Sequence, residues 1–175
     1  MRYDFRKRRK RRISLAIVPG SFDPMTLGHL EIVKTVAKRY DEVVVAVMIN
    51  RSKKYLFDTE TRVAVAEATV KEIPNVRVIA DSGLLIDLFD RLGADAVCKG
   101  WRNQRDYDYE LHMADWNSSH NPRFRTEMIR AKGSVEHISS TEVRRRLADG
   151  ETLEDIVHPD VIPLLLTKFL ENGGK

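Results

Sequence analysis

Ile13-Ser14-Leu15-Ala16-Ile17-Val18-Pro19-Gly20-Ser21-Phe22-Asp23-Pro24-Met25-Thr26-Leu27-Gly28-His29 is the stretch that decides the fold. Ile13 to Val18 is a short apolar run that stops at Pro19-Gly20, which reads as a buried strand entering a tight loop. Thr26 is suited to cap a helix running to about Lys38, with Leu30, Val33 and Ala37 on one face. A buried strand, a glycine-bearing loop and a capped helix in immediate succession open an α/β fold.

The same unit recurs downstream. Val43 to Met48 is continuous and β-branched, as in a parallel strand covered on both faces. Asp58 or Thr59 opens a helix through Glu72, which Pro74-Asn75 ends. Val76 to Ile79 is a third strand, Leu84 to Leu92 a helix closed by Gly93, and Ala96 to Cys98 a fourth strand. Residues 106–117 read as a helix, and Met128-Ile129 marks a weak fifth strand. Ser139 to Ala148 is a capped helix ended by Gly150, and Pro159 to Leu170 carries the last helical pattern. This alternation predicts a Rossmann-like parallel sheet with right-handed crossovers and helices on both faces. Ligands of such sheets sit beyond the carboxyl ends of the strands, near the point where strand order reverses.

A chain of 175 residues suits one domain that needs no disulfides or metal staples. The single cysteine, Cys98, excludes an internal disulfide and a cysteine metal cluster, and reads as a packed thiol. No apolar run approaches the ~20 residues of a membrane span, and no apolar segment follows the basic N-terminus as in a secretory signal. A cytoplasmic location is expected. Seven of the 30 basic residues fall in residues 6–12, leaving 23 against 26 acidic residues in the rest. Residues 1–12 therefore read as a solvated arm, with an arm for nucleic acid or anionic lipid as the alternative. Residues 13–175 read as the domain proper. Binding of nucleic acid is not expected.

Four clusters carry chemistry. In the first, Gly20 lets backbone approach a ligand closely, Ser21 adds a hydroxyl, and the free N–H groups of the next helix start favour phosphate. Gly28 keeps the first turn open, and His29 is placed to face the same anion. The second is Arg51-Ser52-Lys53-Lys54, a basic loop that also follows a strand end. The third is Lys99-Gly100-Trp101-Arg102 after the fourth strand, followed by Asp106-Tyr107-Asp108-Tyr109-Glu110. The fourth is Ile138-Ser139-Ser140-Thr141 with Val143-Arg144, an N-cap whose donors suit the outer phosphates of a triphosphate.

Together these strings resemble the nucleotidyltransferase superfamily, whose members carry a Gly-(Ser/Thr)-Phe-Asp-Pro loop followed by a (His/Thr)-x-Gly-His element. The threonine form, Thr26-Leu27-Gly28-His29, resembles its phosphopantetheine adenylyltransferase branch. The resemblance spans about residues 13–165 without gaps. It implies transfer of AMP from ATP to 4′-phosphopantetheine, giving dephospho-coenzyme A and pyrophosphate in coenzyme A biosynthesis. It further implies ATP binding by Gly20, Ser21, Phe22, His29, Arg102, Glu110, Ser139, Ser140 and Thr141. His29, Lys53 and Arg102 are the implied catalytic residues, and Ser21, Lys53, Leu85, Lys99 and Asn117 bind the acceptor. Leu84 and Leu85 read equally well as core leucines. Mg²⁺ is expected with the triphosphate, on phosphate oxygens and water, with no protein-held metal site. Similar proteins assemble as hexamers, so a homo-oligomer is implied.

The sequence departs from the family on the acceptor side and at the adenine edge. Lys99 replaces an arginine that grips the acceptor phosphate, keeping the charge and losing the bidentate fork. Trp101 and Trp116 stand where smaller apolar residues or Met are usual. Residues 124–133 are unusually charged, and Arg145 falls where Glu is frequent. Two alternatives follow. One is the same chemistry on another acceptor, such as nicotinate mononucleotide or a polyol phosphate, with CTP as a possible donor. The other is a non-catalytic nucleotide-binding homologue.

Overall fold

A computed structural model of the chain describes residues 12–131 and 133–174. The basic arm read from the sequence lies outside these residues apart from Arg12. The elements follow the sequence order closely. Strand β1 (Leu15–Gly20) leads to α1 (Leu27–Ala37), then β2 (Glu42–Met48), α2 (Thr59–Val70), β3 (Val76–Asp81), α3 (Leu85–Leu92) and β4 (Ala96–Trp101). Helix α4 (Gln104–His120), strand β5 (Thr126–Arg130), α5 (Ser140–Asp149) and α6 (Ile162–Glu171) complete the chain.

All five strands are parallel, in the order β3-β2-β1-β4-β5. Period-two alternation sorts the apolar run of each strand into two cores. Ala16, Val18, Val43, Val45, Val47 and Cys98 meet side chains of α1, α2, α5 and α6 on one face. Leu15, Ile17, Val44, Ala46 and Val97 meet Leu88 and Phe89 of α3 on the other. Helices thus cover both faces, as the alternation of elements predicts. The caps are those written in the sequence. Thr26, Asp58 and Ser139 each accept a backbone N–H at the start of their helices, and Gly93 and Gly150 close α3 and α5 with positive φ.

One boundary differs in a way that matters. The fourth strand does not end at Cys98 but runs to Trp101, because β5 offers it a partner as far as the Trp101–Arg130 pair. Lys99 and Trp101 are therefore strand residues on one face, and Gly100 points to the other. A Cβ at Gly100 would sit 3.0 Å from Ile32 of α1. The charged segment around β5 is also explained. β5 is an edge strand, and Arg125, Glu127 and Arg130 supply the charge that keeps an exposed edge from pairing with another chain.

Candidate active site

β1 lies between β2 and β4, so the chain winds one way from β1 to β3 and the other way from β4 to β5. Strand order reverses at the carboxyl ends of β1 and β4, and there a cleft of about 670 Å³ opens. Gly20, Ser21, Phe22, His29, Lys53, Lys99, Arg102, Glu110, Ser139, Ser140 and Thr141 all line it. Five separate segments converge on one cavity. Leu85 and Asn117 stand apart, in a second cavity of about 200 Å³ between α3, α4 and β5. The two cavities share Lys99, Tyr109 and Glu110 in their common wall.

The loop after β1 is held from several sides. Phe22 takes a left-handed φ of 47°, and its ring folds back so closely over Gly20 that a Cβ there would lie 2.9 Å from it. Both oxygens of the buried Asp23 carboxylate accept backbone bonds, from Leu56 N–H (2.8 Å) and Phe57 N–H (2.9 Å). The Asp23 carbonyl accepts from Arg144 (2.6 Å), and the Pro24 carbonyl from the Ser140 hydroxyl (2.8 Å). The loop is thereby tied to the segment before α2 and to the first turns of α5. Sequence reasoning gave no role to Asp23, because nothing local distinguishes a carboxylate that accepts two distant backbone bonds.

His29 has a defined tautomer. Thr26 N–H donates to Nδ1 at 3.1 Å, and Thr26 Oγ1 lies 3.0 Å from the same nitrogen, so helix cap and imidazole ring form one unit. A backbone N–H only donates, so Nδ1 carries no proton and the neutral ring keeps its proton on Nε2. The Phe22 ring meets the imidazole edge-on at 5.1 Å. Burial, and secondly the nearby Arg102 guanidinium, lower the His29 pKa from 6.5 to about 4. His29 is therefore a neutral hydrogen-bond donor at pH 7. The unfolded chain takes up this proton at about pH 6.5 and the folded protein only at about pH 4. Its contribution to stability is complete above pH 6.5 and is lost as pH falls from 6.5 to 4. Denaturant titrations of wild type and His29→Gln across this window should show the extra slope in wild type only. Parallel slopes would contradict a neutral His29.

Arg102 pairs with Asp106 (3.0 Å) and donates to the Ile138 carbonyl at 3.4 Å, which turns it toward the start of α5. The three hydroxyls there are largely occupied. Ser139 Oγ caps Glu142 N–H, Ser140 Oγ reaches Pro24, and Thr141 Oγ1 accepts from Arg144. Among the described residues, the backbone N–H groups of Ser140 and Thr141 have no protein acceptor, and both residues stand in the first turn of α5 and line the cleft. Lys99 Nζ lies 3.3 Å from Glu110 Oε1, closing an ion pair in the shared wall. Asp106 and Tyr109 of the third cluster, given no role of their own in the sequence, and Arg105, which the sequence did not single out, also line the cleft. They sit on the open side of α4, where polar side chains read as a solvated face.

In the second cavity, Leu85 packs against the core beneath the sheet, whereas Leu84 is largely exposed. Asn117 is the only buried residue of α4. Among the described residues its side-chain amide has no hydrogen-bond partner. Apolar side chains, including Leu85, Met113 and Phe124, surround it.

A doubly wound sheet that gathers an imidazole, lysines, an arginine and a helix start at its switch point defines a phosphate-handling nucleotidyltransferase. The cytidylyltransferase-like family model matches residues 17–146. The phosphopantetheine adenylyltransferase of Clostridium kluyveri is 40% identical over 157 residues, 90% of this chain and 96% of that one. Those of Lachnoclostridium phytofermentans and Staphylococcus carnosus are each 36% identical, over 93% and 89% of this chain and 99% and 97% of theirs. A crystal structure from Vibrio parahaemolyticus, named as a nicotinate-nucleotide adenylyltransferase, superposes with a TM-score of 0.69 at 19% identity. It covers 89% of this chain and 99% of that one, and shares the fold. The chain belongs to the phosphopantetheine adenylyltransferase family of cytidylyltransferase-like enzymes.

Proposed function

We propose that this chain transfers the adenylyl group of ATP to 4′-phosphopantetheine, releasing pyrophosphate and forming dephospho-coenzyme A. The observation that carries the acceptor's identity is the pairing of two cavities through Lys99 and Glu110. The larger suits a nucleoside triphosphate. The smaller is narrow and apolar and holds the unpartnered amide of Asn117, which suits a thin chain carrying its own amides. An acceptor whose phosphate lies at Lys99 and whose tail enters the smaller cavity points its phosphate into the cleft. A polyol phosphate would leave the apolar cavity unfilled.

In the reaction an oxygen of the acceptor phosphate attacks the α-phosphorus. The new O–P bond forms as the bond to the β-phosphate bridging oxygen breaks, and pyrophosphate leaves with the electron pair. No covalent intermediate and no protein base are needed, so positioning and charge stabilisation supply the catalysis. His29 donates from Nε2 to the α-phosphate. Lys53 neutralises oxygens of the acceptor and α-phosphates, and Lys99 holds the acceptor phosphate. Arg102 and the start of α5 take the β- and γ-phosphates, and Glu110 lies toward the ribose. Gly20, Ser21 and Phe22 present the loop that receives the triphosphate.

Among the described residues no cluster of three or more His, Cys, Asp or Glu side chains is arranged to hold a metal. The two carboxylates in the cleft, Asp106 and Glu110, are ion-paired. These residues fit a Mg²⁺ carried on triphosphate oxygens and water, where it would offset phosphate charge. No helix among the described residues is long and apolar enough to cross a membrane. We place the enzyme in the cytoplasm, as one domain over residues 13–175 with residues 1–12 as an arm. We also propose a homo-oligomer, a hexamer by resemblance. In support, α4 exposes Leu111, Met113 and Trp116.

The test is pyrophosphate release from ATP or CTP with Mg²⁺ across a panel of acceptors. 4′-Phosphopantetheine with ATP should give the highest kcat/KM, and a higher value for nicotinate mononucleotide or a polyol phosphate would reassign the acceptor. In the same assay Lys99→Ala should raise the acceptor KM roughly tenfold to a hundredfold, the range of a lost charged hydrogen bond. A KM within twofold of wild type would remove Lys99 from the acceptor site.

A further inference from the structure

Behind the phosphate cleft lies a buried cation that the reaction scheme does not use. Arg62 of α2 is 1% exposed. Among the described residues no carboxylate lies within 4 Å of its guanidinium. The partners are carbonyls and a hydroxyl: Nη1 donates to Ser21 O (2.7 Å) and Met48 O (3.1 Å), and Nη2 to Thr59 Oγ1 (3.3 Å). Nε has none. The guanidinium stacks on the Tyr55 ring, 3.8 Å from its centroid. Asp58 acts on it only through space; a charge buried without a contacting acid is costly, and two peptide carbonyls are a specific arrangement to hold it in.

We infer that Arg62 is a positioning residue for adenylyl transfer, one that fixes the Ser21–Phe22 peptide and the base of the Lys53 loop together. This rests on the adenylyltransferase reading above. A trans peptide points its carbonyl and its N–H in opposite directions. Ser21 C=O is turned back onto Arg62, which stands behind the loop and does not line the cleft. Phe22 N–H is thereby turned forward, and among the described residues it has no protein acceptor. It is a donor held ready for a phosphate oxygen. The left-handed φ of Phe22 is a conformation that a phenylalanine seldom adopts unless its surroundings impose it. The second carbonyl, Met48, ends β2, and its following N–H, of Ile49, is bonded to Asp81 O at 2.8 Å. Tyr55, stacked on Arg62, accepts from Asn50 N–H through its hydroxyl (2.9 Å), and Asn50 O accepts from Lys53 N–H (3.0 Å). One guanidinium thus sets two loops, one presenting Phe22 N–H and the other Lys53.

Lysine keeps the charge but lacks the planar fork that reaches both carbonyls. Arg62→Lys should stay folded at 25 °C by circular dichroism while kcat falls about a hundredfold, the usual effect of a misplaced transition-state donor. The acceptor KM should stay within threefold. Independently of turnover, α,β-methylene-ATP should move the Phe22 amide resonance downfield in wild type and leave it nearly unmoved in Arg62→Lys. If Arg62→Lys does not fold, Tyr55→Leu, which removes the stacked ring from a more exposed position, is judged by the same two readouts. Turnover per folded molecule within threefold of wild type, or an analogue-induced displacement of the Phe22 amide resonance as large as in wild type, overturns the assignment. Wild type inactive with every acceptor sinks the adenylyltransferase reading instead, and the amide shift then still decides whether Arg62 orients Phe22.

Discussion

His29→Ala is expected to lower kcat by about 10²–10³, the usual loss on removing one transition-state donor, while circular dichroism and thermal melting show an intact fold. The size follows from the geometry. The Nδ1 nitrogen is committed to Thr26 N–H, so the only polar function His29 offers the cleft is the Nε2 proton. Charge accumulates on the α-phosphate oxygens as the acceptor attacks, and a donor aimed there is worth more in the transition state than in the ground state. The ATP KM should therefore change much less than kcat. His29→Gln, which retains an amide donor near the Nε2 position, should recover part of the loss. Because burial and Arg102 keep the ring neutral down to about pH 4, the rate of wild type should show no inflection from the free enzyme's imidazole near pH 6.5. Near-full activity in His29→Ala, measured as pyrophosphate release, would falsify its catalytic assignment.

The order of elements and the start of the first helix were legible because they rest on local chemistry, an apolar run followed by a threonine cap. The bounds of β1 were not: it begins at Leu15 and runs on through Pro19 and Gly20, which pair with Ala46 and Val47 of β2. Convergence of His29, Lys53, Arg102 and Ser139–Thr141 was legible indirectly, since each follows a strand or opens a helix on the same side of a parallel sheet. The end of β4 was not legible. Lys99-Gly100-Trp101 becomes strand only because a charged edge strand, β5, pairs with it. Nor were the separate uses of the α5 hydroxyls, whose partners Pro24 and Arg144 are fixed by packing. Arg62 is the extreme case. An arginine in a helix whose neighbours include Glu60 and Glu67 reads as solvated surface, and only the fold turns it inward onto carbonyls more than ten residues away.

Asp23→Ala should be the most destabilising single substitution in the site. Its carboxylate is 6% exposed and accepts Leu56 N–H and Phe57 N–H, one on each oxygen. Truncation leaves both donors in a dry position, and each unsatisfied buried donor costs about 1–3 kcal/mol. The sum, roughly 2–6 kcal/mol, is a large share of the ~5–15 kcal/mol that holds a domain together. At ~2–4 °C per kcal/mol for a chain of this size, Tm should fall by roughly 5–20 °C. Asp23→Asn separates the contributions. It keeps one carbonyl acceptor but presents an NH₂ to the other backbone N–H, so it should lose most of what alanine loses despite its matching shape. Activity should fall along with stability in both, because the same carboxylate joins the Ser21–Phe22 loop to the segment that leads out of the Lys53 loop. ATP protection is the discriminating measurement. A ligand that must first bring loosened loops back together binds more weakly, so saturating ATP should raise Tm less in Asp23→Asn than in wild type. Equal shifts would mean that the carboxylate supports the fold without coupling the two loops.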